Sequence, residues 1–260
     1  MSLSPAYPPP RNLLGGKTVV VTAAAGTGIG FAVAKRAAEE GARVLVSDFH
    51  ERRLSEAADR IAAEVGCERP LTHLCDVTRQ EDVDALRDAA LASLGNVDVL
   101  INNAGLGGEA LVTEMTDEQW HRVLDVTLTS VMRMTRAFLP PMQIRQTGAI
   151  VNNASVLGWR AQKGQAHYAA AKAGVMAFTR CSALEAAEHG VRINAVAPSI
   201  AMHAFLAKVT SDELLADLAA REAFGRPAEV WEVANAMIFL ASDLASYMTG
   251  EVLSVSSQRA

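Results

Sequence analysis

The stretch Val19-Val20-Val21-Thr22-Ala23-Ala24-Ala25-Gly26-Thr27-Gly28-Ile29-Gly30 joins a β-branched run, a turn of small residues and the start of an Ala-rich helix. An apolar run of this length is typical of a strand buried on both faces. Glycine lets the backbone approach a ligand closely, so pyrophosphate oxygens can reach the amides at the helix N-terminus. A glycine-rich turn alone is weak evidence, but a strand before it and a helix after it are the context that a dinucleotide site requires.

The rest of the chain repeats this alternation of short strands and longer helices. Strands are predicted at Thr18–Thr22, Arg43–Ser47, Leu71–Cys75, Val97–Asn102, Ala149–Asn153, Arg192–Ala197 and Val252–Val255. Helices are predicted near Ile29–Glu40, Glu51–Val65, Gln80–Leu94, Asp117–Leu139, Gly164–His189 and Ala228–Ser242. This order predicts the α/β class: a single doubly wound Rossmann-type domain, with a parallel seven-stranded sheet and helices on both faces.

Two segments fall outside this regular pattern. Residues 1–14 hold four of the nine prolines, and we expect them to form a flexible arm before the domain of residues 15–260. The segment of residues 199–226 is longer than a simple connection and is helical in pattern. It follows the carboxyl end of a strand, where α/β folds bind ligands. A substrate lid and a surface helical hairpin both remain open as interpretations of it.

Composition excludes several kinds of partner. The formal charge is −5 and no basic stripe is visible, which argues against binding to a nucleic-acid backbone. No apolar run approaches the ~20 residues that a membrane span needs, and the N-terminus lacks the features of a signal peptide. The three cysteines have no metal or disulfide spacing. We therefore expect a cytoplasmic protein with reduced thiols and no metal site.

Asp48 ends the second predicted strand, 18 residues beyond Gly30. A carboxylate at this place can accept hydrogen bonds from both hydroxyls of an adenosine ribose, and it would repel the 2′-phosphate of NADP. Asp48 could also cap the helix that follows. The sequence therefore favours NAD over NADP as cofactor.

Tyr168-Ala169-Ala170-Ala171-Lys172 lies in a strongly helical stretch, and its i,i+4 spacing places phenol and ammonium on one face. A neighbouring cation favours the phenolate and can lower the tyrosine pKa from its reference value near ~10. Such a tyrosine is a usable acid–base group for an alcohol–ketone couple. Ser155 lies 13 residues earlier, just past a predicted strand, where its hydroxyl can point into the cleft.

Together these motifs resemble the short-chain dehydrogenase/reductase family, from about Lys17 to Val255. The resemblance implies that Tyr168 is the catalytic acid/base, that Lys172 tunes it and holds the nicotinamide ribose, and that Ser155 polarises the substrate oxygen. It also implies a cofactor site, whose expected residues are Ala24, Gly26, Thr27, Gly28, Ile29, Gly30, Asp48, Asp76, Val77, Asn103, Ala104, Gly105, Tyr168, Lys172, Pro198, Ala201 and His203.

The sequence departs from the family pattern at several positions. The Thr-Gly that opens the family's loop is Ala23-Ala24 here, unless Thr22 is retained with a one-residue insertion. The usual Asn of the central helix, part of a proton relay to the lysine, is Thr127. We expect a modified relay in which this hydroxyl orders a water. His203 stands where the family has Thr.

A narrower resemblance is to an actinobacterial branch associated with degradation of steroid C/D rings. It is carried by the small-residue loop, by Asn153-Ala154-Ser155-Val156-Leu157-Gly158-Trp159-Arg160 and by Ala197-Pro198-Ser199-Ile200. It implies a hydroxylated methyl-indanone carboxyl-CoA ester as substrate, with Trp159 and Arg160 as candidate substrate contacts. A 3-oxoacyl thioester reductase and a non-catalytic NAD(H)-sensing protein are the alternatives. The family also implies a homotetramer or homodimer, built partly from the helices predicted at Asp117–Leu139 and Gly164–His189.

Overall fold

A sheet of seven parallel strands forms the centre of the molecule. The computed structural model describes residues 5–202 and 212–257. The main-sheet strands are β1 (Thr18–Thr22), β2 (Arg43–Asp48), β3 (Leu71–Leu74), β4 (Val99–Asn102), β5 (Gly148–Asn153), β6 (Val191–Pro198) and β9 (Val252–Val255). Their order in the sheet is β3-β2-β1-β4-β5-β6-β9. The order reverses direction between β1 and β4, and a crevice for ligands opens at such a switch point.

Helices cover both faces of this sheet. They are α1 (Ile29–Glu39), α2 (Glu51–Val65), α3 (Gln80–Leu94), α4 (Asp117–Leu124), α5 (Ser130–Arg145), α6 (Ala166–Ala187), α7 (Asp212–Arg221) and α8 (Val230–Ala241). Alternate residues of β1 point to opposite faces. Val19 and Val21 pack with α1, α2 and α8, whereas Val20 packs with α3, α5 and α6. The predicted single Rossmann-type domain with a seven-stranded parallel sheet is therefore confirmed.

The long helix predicted at Asp117–Leu139 differs from the structure in two ways. A π-helical turn at Asp125–Thr129 separates α4 from α5. At its far end α5 runs through Pro140 and Pro141 as far as Arg145. Proline lacks the amide that the helix needs, yet the buried Met142 and the hydrogen bond from Arg145 to the Val97 carbonyl hold the last turn in place. Tertiary contacts override the local helix-breaking signal here.

Residues 5–14, expected to form a loose arm, contact α1 in the structure. Arg36 donates to the carbonyls of Pro8 and Pro9, at 2.7 and 3.2 Å. The ring of Tyr7 meets that of Trp231 edge-on, with 5.4 Å between centroids. Leu14, at the end of the segment, is fully buried.

The segment of residues 199–226 begins and ends beside a small second sheet. In that sheet β7 (Ala201–Met202) pairs in parallel with β8 (Ala228–Glu229). The helical pattern predicted for the segment appears at Asp212–Arg221, as α7. Residues 203–211, including His203, lie outside the described residues, so the lid and hairpin interpretations both remain predictions.

Neither a membrane-spanning helix nor a metal-binding cluster occurs among the described residues. Over residues 5–202 and 212–257, no helix combines the length and apolar character needed to cross a membrane. The same ranges contain no cluster of three His, Cys, Asp or Glu side chains that could hold a metal ion.

Candidate active site

The glycine loop after β1 is anchored by Thr22. Its hydroxyl donates to the Ile101 carbonyl at 3.2 Å and accepts from the Asn103 amide at 3.0 Å. Ala23 follows with φ +51°, a left-handed conformation that costs a residue with a Cβ roughly 1–2 kcal/mol. These features fit the alignment in which Thr22 is retained, with one residue inserted in the loop. Ala23 then occupies the position of the family's first glycine.

At Gly30 the loop packs too closely for any side chain. A Cβ there would lie 2.3 Å from the Ala23 carbonyl oxygen and 2.5 Å from Nδ2 of Asn103. Gly28 is the N-cap of α1 and has no side chain to cap it. The first amides of α1 are therefore not capped by a side chain, as an anion site at a helix N-terminus requires. Ala24 is fully buried behind the loop, and Thr27 is exposed at its tip.

A cavity of about 820 Å³ lies beside this loop, at the carboxyl ends of β1, β2, β3 and β4. Of the expected cofactor residues it is lined by Asp48, Asp76, Val77, Ala104 and Gly105. Its other lining residues are Ala23, Phe49, Cys75, Thr78, Glu118, His121, Arg122, Leu124, Asp125, Val126 and Thr129. Apart from Ala23, which belongs to the glycine loop, sequence reasoning missed this second set. Phe49 could have been found from its place directly after Asp48, but no local signal marks the residues of α4.

Asp48 lies nearly buried at the floor of the cavity. Its Oδ2 accepts from the Ala25 amide and its Oδ1 from the His50 amide, each at 3.1 Å. Burial raises the pKa of Asp48 above its usual range, and the bond from Ala25 opposes that change. The N-cap of α2 is His50, so Asp48 does not cap that helix. The carboxylate thus links the glycine loop to the start of α2.

Ser155, Tyr168 and Lys172 come together at the other end of the cleft. Ser155 caps a short 3-10 helix, with its Oγ accepting from the Leu157 amide at 3.2 Å, and it hydrogen-bonds Tyr168. Nζ of Lys172 lies 5.5 Å from the centroid of the Tyr168 ring. A Cβ on Gly105 would come within 3.4 Å of the same Nζ. Gly105 therefore joins the cavity to this cluster.

The pKa values of this pair differ from the sequence-based expectation. Burial raises the pKa of Tyr168 to about 12, and the hydrogen bond with Ser155 opposes the rise. Burial also lowers the pKa of Lys172 to about 7. The expectation that the lysine cation would lower the tyrosine pKa is wrong, because burial raises that pKa instead. Desolvation disfavours the charged form of both groups, and this effect outweighs any attraction between the ammonium and the phenolate.

Thr127 is fully buried in the π-helical turn, and its hydroxyl serves a neighbouring loop. It donates to the Leu106 carbonyl at 3.0 Å and accepts from the Leu106 amide at 2.9 Å. Its only proton is therefore directed at protein backbone. This hydroxyl fixes the segment that follows Asn103–Gly105, and a water could still use its second lone pair.

Asn153 is a site residue to which sequence reasoning gave no role. Its carbonyl accepts a hydrogen bond from Lys172, and its Nδ2 donates to Oδ1 of Asn103 at 2.9 Å. Asn103 in turn donates to the carbonyls of Thr22 and Ala23. A continuous set of hydrogen bonds thus links Lys172 to the glycine loop.

The remaining predicted residues lie at the rim of the cleft or outside the described chain. Trp159 is 52% exposed, and Arg160 is half-buried next to it. Pro198 ends β6, and Ala201 is buried in β7. His203 is not among the described residues.

These features fit a dinucleotide. The uncapped start of α1 suits a pyrophosphate, and the floor carboxylate of Asp48 suits a ribose diol. Oδ1 of Asn153 is buried and has no hydrogen-bond partner within residues 5–202 and 212–257, beside the amine that would meet the second ribose.

Comparisons with known proteins agree with this geometry. A family model described as Enoyl-(Acyl carrier protein) reductase matches residues 23–257. The (5R,7aS)-5-hydroxy-7a-methyl-1-oxo-2,3,5,6,7,7a-hexahydro-1H-indene-carboxyl-CoA reductase of Mycobacterium tuberculosis is 62% identical, over 99% of this chain and 98% of that protein. A 3-oxoacyl-acyl-carrier-protein reductase of Chlamydia muridarum is 36% identical, over 94% and 98%. The crystal structure of a short chain dehydrogenase from Mycobacterium smegmatis has a TM-score of 0.88 at 58% identity, and covers 99% of this chain and 98% of that chain.

The chain has a doubly wound sheet, a glycine loop at its switch point and a cluster of Ser155, Tyr168 and Lys172, and it matches known proteins over nearly its whole length. It therefore belongs to the short-chain dehydrogenase/reductase family of nicotinamide-dependent oxidoreductases.

Proposed function

We propose that this enzyme interconverts a secondary alcohol and a ketone on a bicyclic methyl-indanone carboxyl-CoA ester, with NAD as cofactor. The observation that carries the proposal is the Ser155–Tyr168–Lys172 cluster at the end of a dinucleotide cleft. The substrate class rests on the 62% identity to the M. tuberculosis reductase, whose name specifies a hydroxylated indene carboxyl-CoA.

Each residue of the cluster has a distinct task in this reaction. Tyr168 gives a proton to the ketone oxygen, or takes one from the alcohol. Ser155, hydrogen-bonded to that phenol, holds the same substrate oxygen. Lys172 supplies the positive charge that a phenolate needs, because with a pKa of about 7 part of it is protonated at neutral pH. When bound, the nicotinamide supplies the hydride acceptor or donor.

The preference for NAD rests on Asp48. The carboxylate lies at the cavity floor and is held in place by two amides. A ribose diol could donate to its remaining lone pairs, whereas a 2′-phosphate would meet a like charge. Desolvation raises the cost of that like-charge contact, because the site is nearly buried.

A turnover assay tests the function directly. Nicotinamide absorbance would be followed with NAD and three substrates: a hydroxy-indanone carboxyl-CoA ester, a 3-hydroxyacyl-CoA and a simple secondary alcohol. We expect turnover of the bicyclic ester alone, lost in Tyr168→Phe and retained in Tyr247→Phe. Tyr247 is a matched control because its side chain is fully exposed.

The other results of this assay have defined meanings. Preferential turnover of the 3-hydroxyacyl-CoA would instead assign to this protein a 3-oxoacyl thioester reductase activity, like that named for the Chlamydia muridarum relative. Tight NAD binding without turnover of any substrate would contradict the enzyme and favour an NAD(H)-sensing protein.

We also propose that the protein is cytoplasmic and forms a homotetramer or homodimer through α4, α5 and α6. Leu184 supports the shared interface, because it is a large apolar side chain of α6 that is 74% exposed in the single chain. All three cysteines are free thiols, which suits a reducing compartment.

A further inference from the structure

A second cavity of about 380 Å³ lies just outside the catalytic cluster. It is formed by the loop after β4 and by the segment that leads into α6, and its lining includes Leu111, Val112, Ala161, Lys163, Ala166 and Ala169. Ala166 and Ala169 belong to the same helical turn as Tyr168. Their side chains leave the helix in directions different from that of Tyr168, because successive helix residues are rotated by about 100°. The groove therefore neighbours the catalytic cluster without containing any of its residues.

The two walls of this groove are joined by hydrogen bonds. The Ala110 amide donates to the Gly164 carbonyl at 3.0 Å, and the Gln165 side chain donates to the Gly108 carbonyl at 2.8 Å. Nearer the cluster, a Cβ on Gly107 would touch the Tyr168 ring at 3.8 Å. The loop thus runs from Tyr168 outward, and the span from Gly107 to Val112 reaches at most about 17 Å.

Most of the lining is apolar, and its polar side chains are those of Gln162 and Lys163. Lys163 is the single charged residue among those that line the groove in the described chain, and its side chain is exposed. Glu109, which lies next to Gly164, is not among the residues that line the groove. An extended, uncharged arm that ends in an anion would complement this arrangement.

We propose that this groove binds the pantetheine arm of an acyl-CoA, with Lys163 meeting the phosphates. The inference rests on the proposed function: a CoA thioester held at Tyr168 must leave the cluster, and the loop from Gly107 to Val112 leads from the phenol to this groove. The uncharged part of the arm lies against Leu111 and Val112, and the charged end reaches Lys163. Trp159, at the rim of the cleft, is not needed for this contact.

The test is a calorimetric titration of free coenzyme A into protein saturated with NAD, which keeps the probe's own adenosine out of the cofactor cleft. We expect Lys163→Glu to weaken binding about tenfold, and less at high salt. Val112→Asp should also weaken it, because it brings a carboxylate into the groove from a position that is 74% exposed and tolerant of change. Arg11→Glu is the control: it makes the same charge change on an exposed side chain of the N-terminal segment.

The outcomes separate this proposal from the function itself. Equal affinity of wild type and Lys163→Glu, or no binding of coenzyme A to the NAD-loaded protein, would overturn the groove assignment even if the CoA ester is turned over. Binding that depends on Lys163 in a protein that turns over no CoA ester would uphold the groove and overturn the proposed function.

Discussion

At the scale of single residues, the site depends on groups whose surroundings are fixed by their neighbours. Asp48 is held by two amides, and Lys172 donates to the carbonyl of Asn153. Asn153 also reaches the glycine loop through Asn103. The cofactor loop and the catalytic lysine are therefore positioned by the same set of hydrogen bonds. A substitution in the loop should shift the position of the lysine, and a substitution at the lysine should shift the loop.

Cofactor choice can be tested at Asp48. Asp48→Asn keeps a hydrogen-bond acceptor for the Ala25 or His50 amide but removes the negative charge that a 2′-phosphate would meet. We expect the ratio of kcat/KM for NAD to that for NADP to fall on the order of 100-fold. Steady-state kinetics with both cofactors measure this ratio. An unchanged ratio would show that the carboxylate does not select the cofactor.

Lys172 gives a prediction about stability and pH. Its folded-state pKa of about 7 lies below the ~10.4 of an unfolded chain, so the unfolded state binds more protons between these values. The free energy of unfolding should therefore rise with pH from about 7 to about 10. Below pH 7 the folded protein should bear the full penalty of burying the charged ammonium. Lys172→Met removes the penalty, and we expect it to be more stable than wild type at pH 7 by roughly 2 kcal/mol or more.

Urea unfolding of the cofactor-free protein at pH 7 and pH 10 measures this effect. The advantage of Lys172→Met should shrink at the higher pH, while its turnover is abolished. Lys163→Met is the matched control, because it makes the same substitution at an exposed position and leaves the buried ammonium in place. A constant difference between Lys172→Met and wild type at both pH values would argue against a depressed lysine pKa.

At the scale of elements, the π-helical turn at Asp125–Thr129 joins two parts of the site. A π-helical turn inserts an extra residue into a helix and is common near functional sites. Here it directs the Thr127 hydroxyl at Leu106, in the loop that follows Asn103–Gly105. The backbone beside the cofactor cleft is thereby held by a side chain of the central helix.

Thr127→Val tests this element with little change of shape. It leaves two backbone groups of Leu106 without their partner, so we expect a loss of about 1–3 kcal/mol in the free energy of unfolding. Turnover should fall as well, because Gly105 borders Lys172. Chemical unfolding and steady-state rates provide the two readouts. Thr147→Val, the same substitution at an exposed position that lines neither cavity, is the control, and equal losses in both variants would contradict a special role for the Leu106 contacts.

At the scale of the whole molecule, the residues of the site lie at one end of the sheet, where the strands have their carboxyl ends. The carboxyl ends of β1, β2 and β4 supply the cofactor residues, and β5 and α6 supply Ser155, Tyr168 and Lys172. The opposite end of the sheet carries supporting contacts, such as the Arg145–Asp98 ion pair. The outer side of α6 presents Leu184 to solvent, and an assembly would cover it.

Oligomer formation can be tested at Leu184. A carboxylate buried in a subunit interface is strongly unfavourable, so Leu184→Glu should dissociate the protein to smaller species. Sedimentation velocity at micromolar concentration measures the change. Leu74→Glu, at a partly exposed position of the edge strand β3, should leave the assembly intact. A Leu184→Glu variant that sediments like wild type would exclude α6 from the interface.

The sequence by itself determined the class of fold, most strand and helix positions, and the residue types of the site. Local signals suffice for these, because β-branched runs, alanine-rich helices and the Tyr-x-x-x-Lys spacing act within a few residues. Thr18–Thr22, Glu51–Val65 and Gln80–Leu94 are found as predicted. The tertiary structure alone decided the π-helical turn, the passage of α5 through two prolines, the contacts of Asn153 and the lowered pKa of Lys172. Each of these depends on groups far apart in the chain, whose packing and desolvation no local pattern records.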